Sequence, residues 1–274
     1  MTRRYTLLAW TAATATYLLI VLGAVVRITG SGMGCGDHWP LCNGRLFPPL
    51  SDIGTLIEWS HRLVAALVSA LIAGLAGYAW WLRQLSRRTG YTPPDRISYA
   101  ALGLLVLQVL LGALTVKLEL PAWTVILHLG TAMALLGTLL VAARDRVGVP
   151  HPAPLLPLLT LAFVTVLFGA LTANLGAAAA CTGFPLCNGQ VWPSAGGLAV
   201  IHWIHRLLAY ALTGYVAVWA VRSRRRGAWG VGGLVVIQVA LGAATVLMGL
   251  PPLLQAVHLA AGTAVWAGVV LAAR

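Results

Sequence analysis

The chain has 274 residues, of which 59% are hydrophobic and 9% charged. A soluble domain carries about 25% charged residues, so this composition excludes an ordinary soluble enzyme and marks an integral membrane protein. The net charge of +12 does not imply nucleic acid as a partner, because most arginines fall at the N-terminus (Arg3, Arg4), in alternate loops (Arg83, Arg87, Arg88, Arg96, Arg144, Arg146, Arg222, Arg224, Arg225, Arg226) and at the end (Arg274), while the other loops hold only Arg45 and Lys117, with Arg27 at a helix end. That is the positive-inside pattern, and it predicts a multi-pass cell-membrane protein with both termini cytoplasmic and membrane lipid against the arginines.

A span needs ~20 predominantly apolar residues. Eight stretches qualify, at roughly 7–27, 55–82, 97–118, 122–143, 154–175, 199–222, 228–248 and 252–273. The first follows Arg3 and Arg4 but runs into Arg27 without a small-residue cleavage site, so it reads as a span and not as a signal peptide. The loop after it carries Cys35 and Cys42, and the loop after the fifth span carries Cys181 and Cys187. The charge pattern puts both loops outside, where an oxidising compartment favours Cys35–Cys42 and Cys181–Cys187 disulfides over four free thiols.

The chain repeats itself. Gly23-Ala24 matches Gly169-Ala170, and Pro40-Leu41-Cys42-Asn43-Gly44 recurs as Pro185-Leu186-Cys187-Asn188-Gly189. Glu58-Trp59-Ser60-His61-Arg62 recurs as His202-Trp203-Ile204-His205-Arg206. Gln108, Gly112, Thr115, Pro121 and His128 match Gln238, Gly242, Thr245, Pro251 and His258. Each half holds four spans, an even number, so both enter the membrane in the same direction. The expected fold is all-α: two tandem four-helix bundles, 1–147 and 148–274, related by a pseudo-two-fold axis along the membrane normal. The seam at 144–153 contains Pro150 and Pro152.

Seven histidines are present. His38 and His151 lie in loops and carry no assigned role. His61, His128, His205 and His258 each lie about six residues into an even-numbered span, or ~9 Å below its outer end. In an up-down-up-down bundle the second and fourth helices stand diagonally, so each half can oppose two imidazoles across its centre. Axial histidines commonly hold heme iron. The competing role for a lone intramembrane histidine is a hydrogen bond to a neighbouring helix. A matched pair, repeated, favours heme. Glycines within the spans, Gly23, Gly112, Gly130, Gly169, Gly242 and Gly262, serve either close helix packing or room for a macrocycle.

Glu58 alone among the six acidic residues sits inside a span, three residues before His61 and on the same helix face. An intramembrane carboxylate is costly and usually functional, so it is the catalytic candidate; the alternative is a structural partner for Arg62, Arg206 or Arg27. The second half has His202 there, either a hydrogen-bonding partner near the membrane surface, a neighbour supporting His205 or a spare ligand. The sites are therefore unequal, with chemistry expected in the first half and electron transfer in the second. Arg62 and Arg206 are candidate partners for heme propionates, or snorkel to lipid headgroups.

Gly30-Ser31-Gly32, Cys35, Pro40-Leu41-Cys42-Asn43-Gly44, Glu58-x-x-His61-Arg62, His128, the Cys181/Cys187 loop, His205-Arg206 and His258 together resemble the bacterial heme A synthase family over all eight spans. The resemblance implies oxidation of the C8 methyl of substrate heme O to a formyl group by two successive water-derived hydroxylations, giving heme A for terminal oxidases. It implies that His61 and His128 flank heme O, that His205 and His258 hold a heme b cofactor, and that Glu58 is the residue on which activity depends. Heme O synthase and terminal oxidase assembly are the partners it implies; the oligomeric state stays open. His202 is the one departure seen. The rival class is a di-heme membrane cytochrome b that only transfers electrons, and a transporter is a further one, since parallel repeats also occur there.

Overall fold

The computed structural model describes residues 3–49, 51–89, 95–144, 155–194 and 196–272. Most of the expected seam, with His151 and the division at 147/148, lies outside the described residues. Eight helices are long and apolar enough to span a membrane, and among the described residues there is no strand. They are α1 (Arg3–Ile28), α2 (Ile53–Thr89), α3 (Asp95–Lys117), α4 (Ala122–Ala143), α5 (Leu155–Asn174), α6 (Gly197–Ser223), α7 (Arg226–Leu247) and α8 (Pro252–Ala272). With no water in the bilayer core, helices satisfy every backbone group internally, which is why these apolar stretches take this form.

The ends agree with the sequence expectation to within a few residues, except in α2. That helix has 37 residues, about 55 Å at 1.5 Å per residue, and so outruns a ~30 Å hydrocarbon core. Nothing in Arg83–Arg88 breaks a helix, and the first breakers in the sequence are Gly90, Pro93 and Pro94.

The chain forms two compact units. One comprises α1–α3 with α4 from Thr131 onward; the other comprises α5–α8 with α4 up to Gly130. His61 belongs to the first unit and His128 to the second. In the first unit α2 packs on α1 and on α3, and the Tyr5 and Ser98 hydroxyls, both fully buried, bond at 2.7 Å. In the second, α5 packs on α6 and α8, and α7 on α6 and α8. This is a closed ring of four helices, with α6 and α8 on its diagonal. Phe163 of α5 meets Trp266 of α8 at 5.5 Å between ring centroids.

The connections recur between the units. After α1 and α5 the chain turns through Gly30 (φ +66°) and Gly176 (φ +71°) into short 3-10 turns, Ser31–Met33 and Ala177–Ala179. The disulfide loops follow, closed by Cys35–Cys42 and Cys181–Cys187. Cys42 pairs with Arg45, and Cys187 with Gln190, in isolated β-bridges. After α3 and α7 the turns use left-handed pairs, Glu119-Leu120 and Gly249-Leu250. Leu120 N–H reaches Thr115 O at 2.8 Å, and Leu250 N–H reaches Thr245 O at 2.7 Å. This is the Schellman ending, which satisfies carbonyls a helix would otherwise leave bare, and the prolines that follow cannot continue the helix.

Candidate functional site

Each disulfide loop is fastened to the helix after it by an arginine. Arg62 Nη1 donates to the carbonyls of His38 (2.7 Å) and Leu41 (2.6 Å). Arg206 Nη1 donates to Gly183 O (2.9 Å) and Leu186 O (2.8 Å), and its Nη2 to Cys181 O (3.0 Å). Thr55 Oγ1, Trp59 Nε1 and Tyr210 OH add bonds to Gly34 O, Leu46 O and Pro185 O. Trp203 packs with the buried Cys181–Cys187 pair. Both arginines thus spend most of their donors on the protein. Of the five N–H groups of a guanidinium, Arg62 keeps a single Nη2–H free of these partners once Glu58 is counted.

Glu58 is 3% exposed. Its Oε1 accepts from Arg62 Nη2 and, at 3.1 Å, from Arg62 Nε. Its Oε2 accepts the Cys35 N–H at 2.7 Å. The structural role weighed for Glu58, partnership with Arg62, is therefore real, and it places the carboxylate against the first disulfide loop. At the matching place in the second unit, buried His202 bonds Ala177 O through Nδ1 at 3.1 Å.

Three of the four histidines, His61, His205 and His258, rest in glycine notches. A Cβ at Gly23 would lie 3.2 Å from Cε1 of His61. At Gly169 it would lie 3.0 Å from Cε1 of His205, and at Gly242 2.9 Å from Cε1 of His258. These glycines thus make room for the imidazoles themselves, a third use beside the close helix packing and the room for a macrocycle expected from the sequence. His205 and His258 follow the first residues of their helices by eight and six positions, as do His61 and His128. Within the second unit they stand on the diagonal helices α6 and α8.

Several neighbours were not legible beforehand. His205 Nδ1 bonds the backbone carbonyl of Thr165 at 3.2 Å. Gln238 Nε2 lies 3.4 Å from His258 Nε2, and its amide rests on Gly262, where a Cβ would come within 2.9 Å. The only available signal was that Gln238 and Gly242 recur with Gln108 and Gly112.

These residues fit an axially ligated heme. The Thr165 bond sets the His205 tautomer, with Nδ1–H donating to the carbonyl and Nε2 left unprotonated with its lone pair for a metal, the usual arrangement behind a metal-bound histidine. His258 Nδ1 is buried without a hydrogen-bond partner, whereas its Nε2 faces the Gln238 amide, so iron would offset that cost only by binding at Nδ1 itself. Among the described residues no three His, Cys, Asp or Glu converge; a porphyrin iron needs only two protein ligands.

Comparison with known proteins carries the assignment further. The profile of the family described as cytochrome oxidase assembly protein (COX15-CtaA) matches residues 6–54 and 51–270. The chain belongs to this family. Among similar proteins, a heme A synthase of Symbiobacterium thermophilum is 34% identical over 281 aligned positions, covering 93% of this chain and 90% of its own length. One of Alkalihalophilus pseudofirmus is 36% identical over 217, covering 74% and 71%. One of Bacillus licheniformis is 31% identical over 226, covering 77% and 73%. Membership of the COX15-CtaA family agrees with a multi-pass membrane protein and with the heme-related chemistry expected of the motifs.

Proposed function

We propose that this membrane protein is a heme A synthase, an oxidoreductase that converts the C8 methyl of heme O to a formyl group. The observation that carries the reading is the pair His205 and His258, standing on diagonal helices with glycines opposite their rings, in a chain whose full-length relatives bear that activity by name. The first hydroxylation converts R–CH3 and H2O to R–CH2OH with release of two protons and two electrons, which an electron acceptor outside the chain must take up. A second gives the gem-diol, which loses water to leave the aldehyde.

His61 and His128 are the ligands proposed for substrate heme O. His205 and His258 would hold heme b, which supplies one-electron transfer when bound. Glu58 is the proposed catalytic group. As a buried carboxylate it can stabilise positive charge growing on the oxidised carbon, or take a proton from attacking water. Fixed dipoles and charges do this without reorganising at the moment of reaction, which is where most of the acceleration arises. The proposed division of labour places the substrate in 1–147 and the cofactor in 148–274. The proposed orientation puts both termini in the cytoplasm and the disulfide loops outside, supported by the arginine distribution and by the two closed disulfides. The remaining Nη2–H of Arg62, and the Nε–H and second Nη2–H of Arg206, are what a propionate could still engage.

Glu58→Gln tests the reading. Full-length protein carrying it should convert heme O at no more than about one-hundredth of the normal rate, the usual scale for losing one acid–base group, while heme b stays bound. Normal conversion would remove Glu58 from the mechanism.

A further inference from the structure

We propose that Arg62 is the positioning residue that aims Glu58, clamping Oε1 and leaving Oε2 as the working oxygen; this rests on the catalytic reading of Glu58 above. The two residues are one turn apart on α2, and a carboxylate offers about four lone-pair sites. Arg62 Nε and Nη2 take both sites of Oε1. The Cys35 N–H takes one of the two on Oε2. A single lone pair on Oε2 is left to meet a proton or a developing cation.

Arg62 cannot drift, because its Nη1 is bonded to His38 O and Leu41 O. Those carbonyls lie in the loop closed by Cys35–Cys42. The same loop therefore supplies the N–H on Oε2 and fixes the cation on Oε1. Charge-assisted bonds of this kind are roughly twice as strong as neutral ones, and a low local dielectric strengthens them further.

The second unit separates two roles that Arg62 combines. Arg206 fastens its own disulfide loop through three carbonyls, yet the residue four positions earlier is His202, bonded to Ala177 O. Loop fastening thus proceeds without a carboxylate. The grip on a carboxylate belongs to the first unit alone, where the catalytic residue is proposed.

The test uses the full-length protein with Arg62→Gln, Arg62→Lys, Arg206→Gln and Glu58→Gln. The infrared difference between wild type and Glu58→Gln isolates the Glu58 bands. Those bands should shift in both Arg62 variants and stay in place in Arg206→Gln, which removes a loop fastening that touches no protein carboxylate. Arg62→Gln should lower kcat for heme O on the order of ten- to a hundredfold, the scale of an ångström-sized misplacement, with KM little changed. Arg62→Lys should recover part of it. Unmoved bands with kcat retained would overturn the proposal, leaving Arg62 a loop fastener like Arg206. If neither Arg62 variant folds, the wild-type bands decide: ionised, hydrogen-bonded carboxylate bands uphold the clamp, and a carboxylic acid band overturns it. Normal conversion by Glu58→Gln would instead sink the catalytic reading, whatever the bands do.

Discussion

An alanine in place of Gly169 would set a Cβ 3.0 Å from Cε1 of His205, and one in place of Gly242 would set it 2.9 Å from Cε1 of His258. Each ring must then turn or its helix must move. Gly169→Ala and Gly242→Ala are expected to weaken heme b retention by about ten- to a hundredfold, the cost of disturbing the shell behind a metal ligand, with helix content unchanged. Reduced-minus-oxidised absorbance spectra of the purified variants measure this, and a full low-spin signal would show that the notches do not seat the ligands. The four histidines and Glu58 could be singled out from the sequence because polar residues are rare in apolar spans and repeat at matched positions. The Thr165 carbonyl behind His205, the Cys35 N–H on Glu58 and the Gln238 amide beside His258 could not. Backbone groups leave no sequence signature, and a glutamine in a span does not announce which ring it will touch.

Helix ends and loops tell a similar story at the level of elements. Eight spans were legible because each needs a long apolar run, whereas the extra turns of α2 were not, since Arg83 to Thr89 read as an ordinary loop once hydropathy ends. The start of α2 is capped by Asp52, whose Oδ2 accepts the Thr55 N–H at 2.7 Å. The hydrogen bond from the Thr55 backbone N–H holds the Asp52 carboxyl below the usual carboxylate range. A depressed folded-state pKa means stability that is present above the unfolded value and lost as pH falls through the folded one. Amide exchange in the first turn of α2 should therefore quicken in that acid window. Asp52→Asn should keep the cap but lose the pH dependence; an unchanged pH response in that variant would count against the capping role. The arginine fastenings are sturdier. Arg206 is buried and its Nη1 and Nη2 serve three carbonyls, so Arg206→Gln should cost roughly 3 kcal/mol, the upper range for bonds to a charged group. Thermal unfolding in detergent reads this, and an unchanged Tm would mean the loop holds without it.

Across the whole molecule, duplication explains why the two disulfide loops, the two Schellman turns and the glycine–histidine contacts resemble each other so closely. It also makes the departures informative. The repeat could be read from the sequence as a series of matched residues, and in the second set of four helices α6 and α8 stand diagonally. The grouping of Ala122–Gly130 with α5–α8 was not legible, because a helix that continues unbroken through Gly130 gives no sign of where its contacts change. Gly130 itself lies against Leu167 and Phe163 of α5. An electron-transfer cytochrome would need every one of these histidines but no buried carboxylate three residues before one of them on the same helix, so the outcome turns on chemistry at the heme methyl. The direct measurement is chromatography of pigments extracted from membranes in which this chain is produced with a supply of heme O and no other source of heme A. Heme A alongside heme B is the expected result. Heme O and heme B without any heme A, from a chain that is folded and carries its heme, would contradict it.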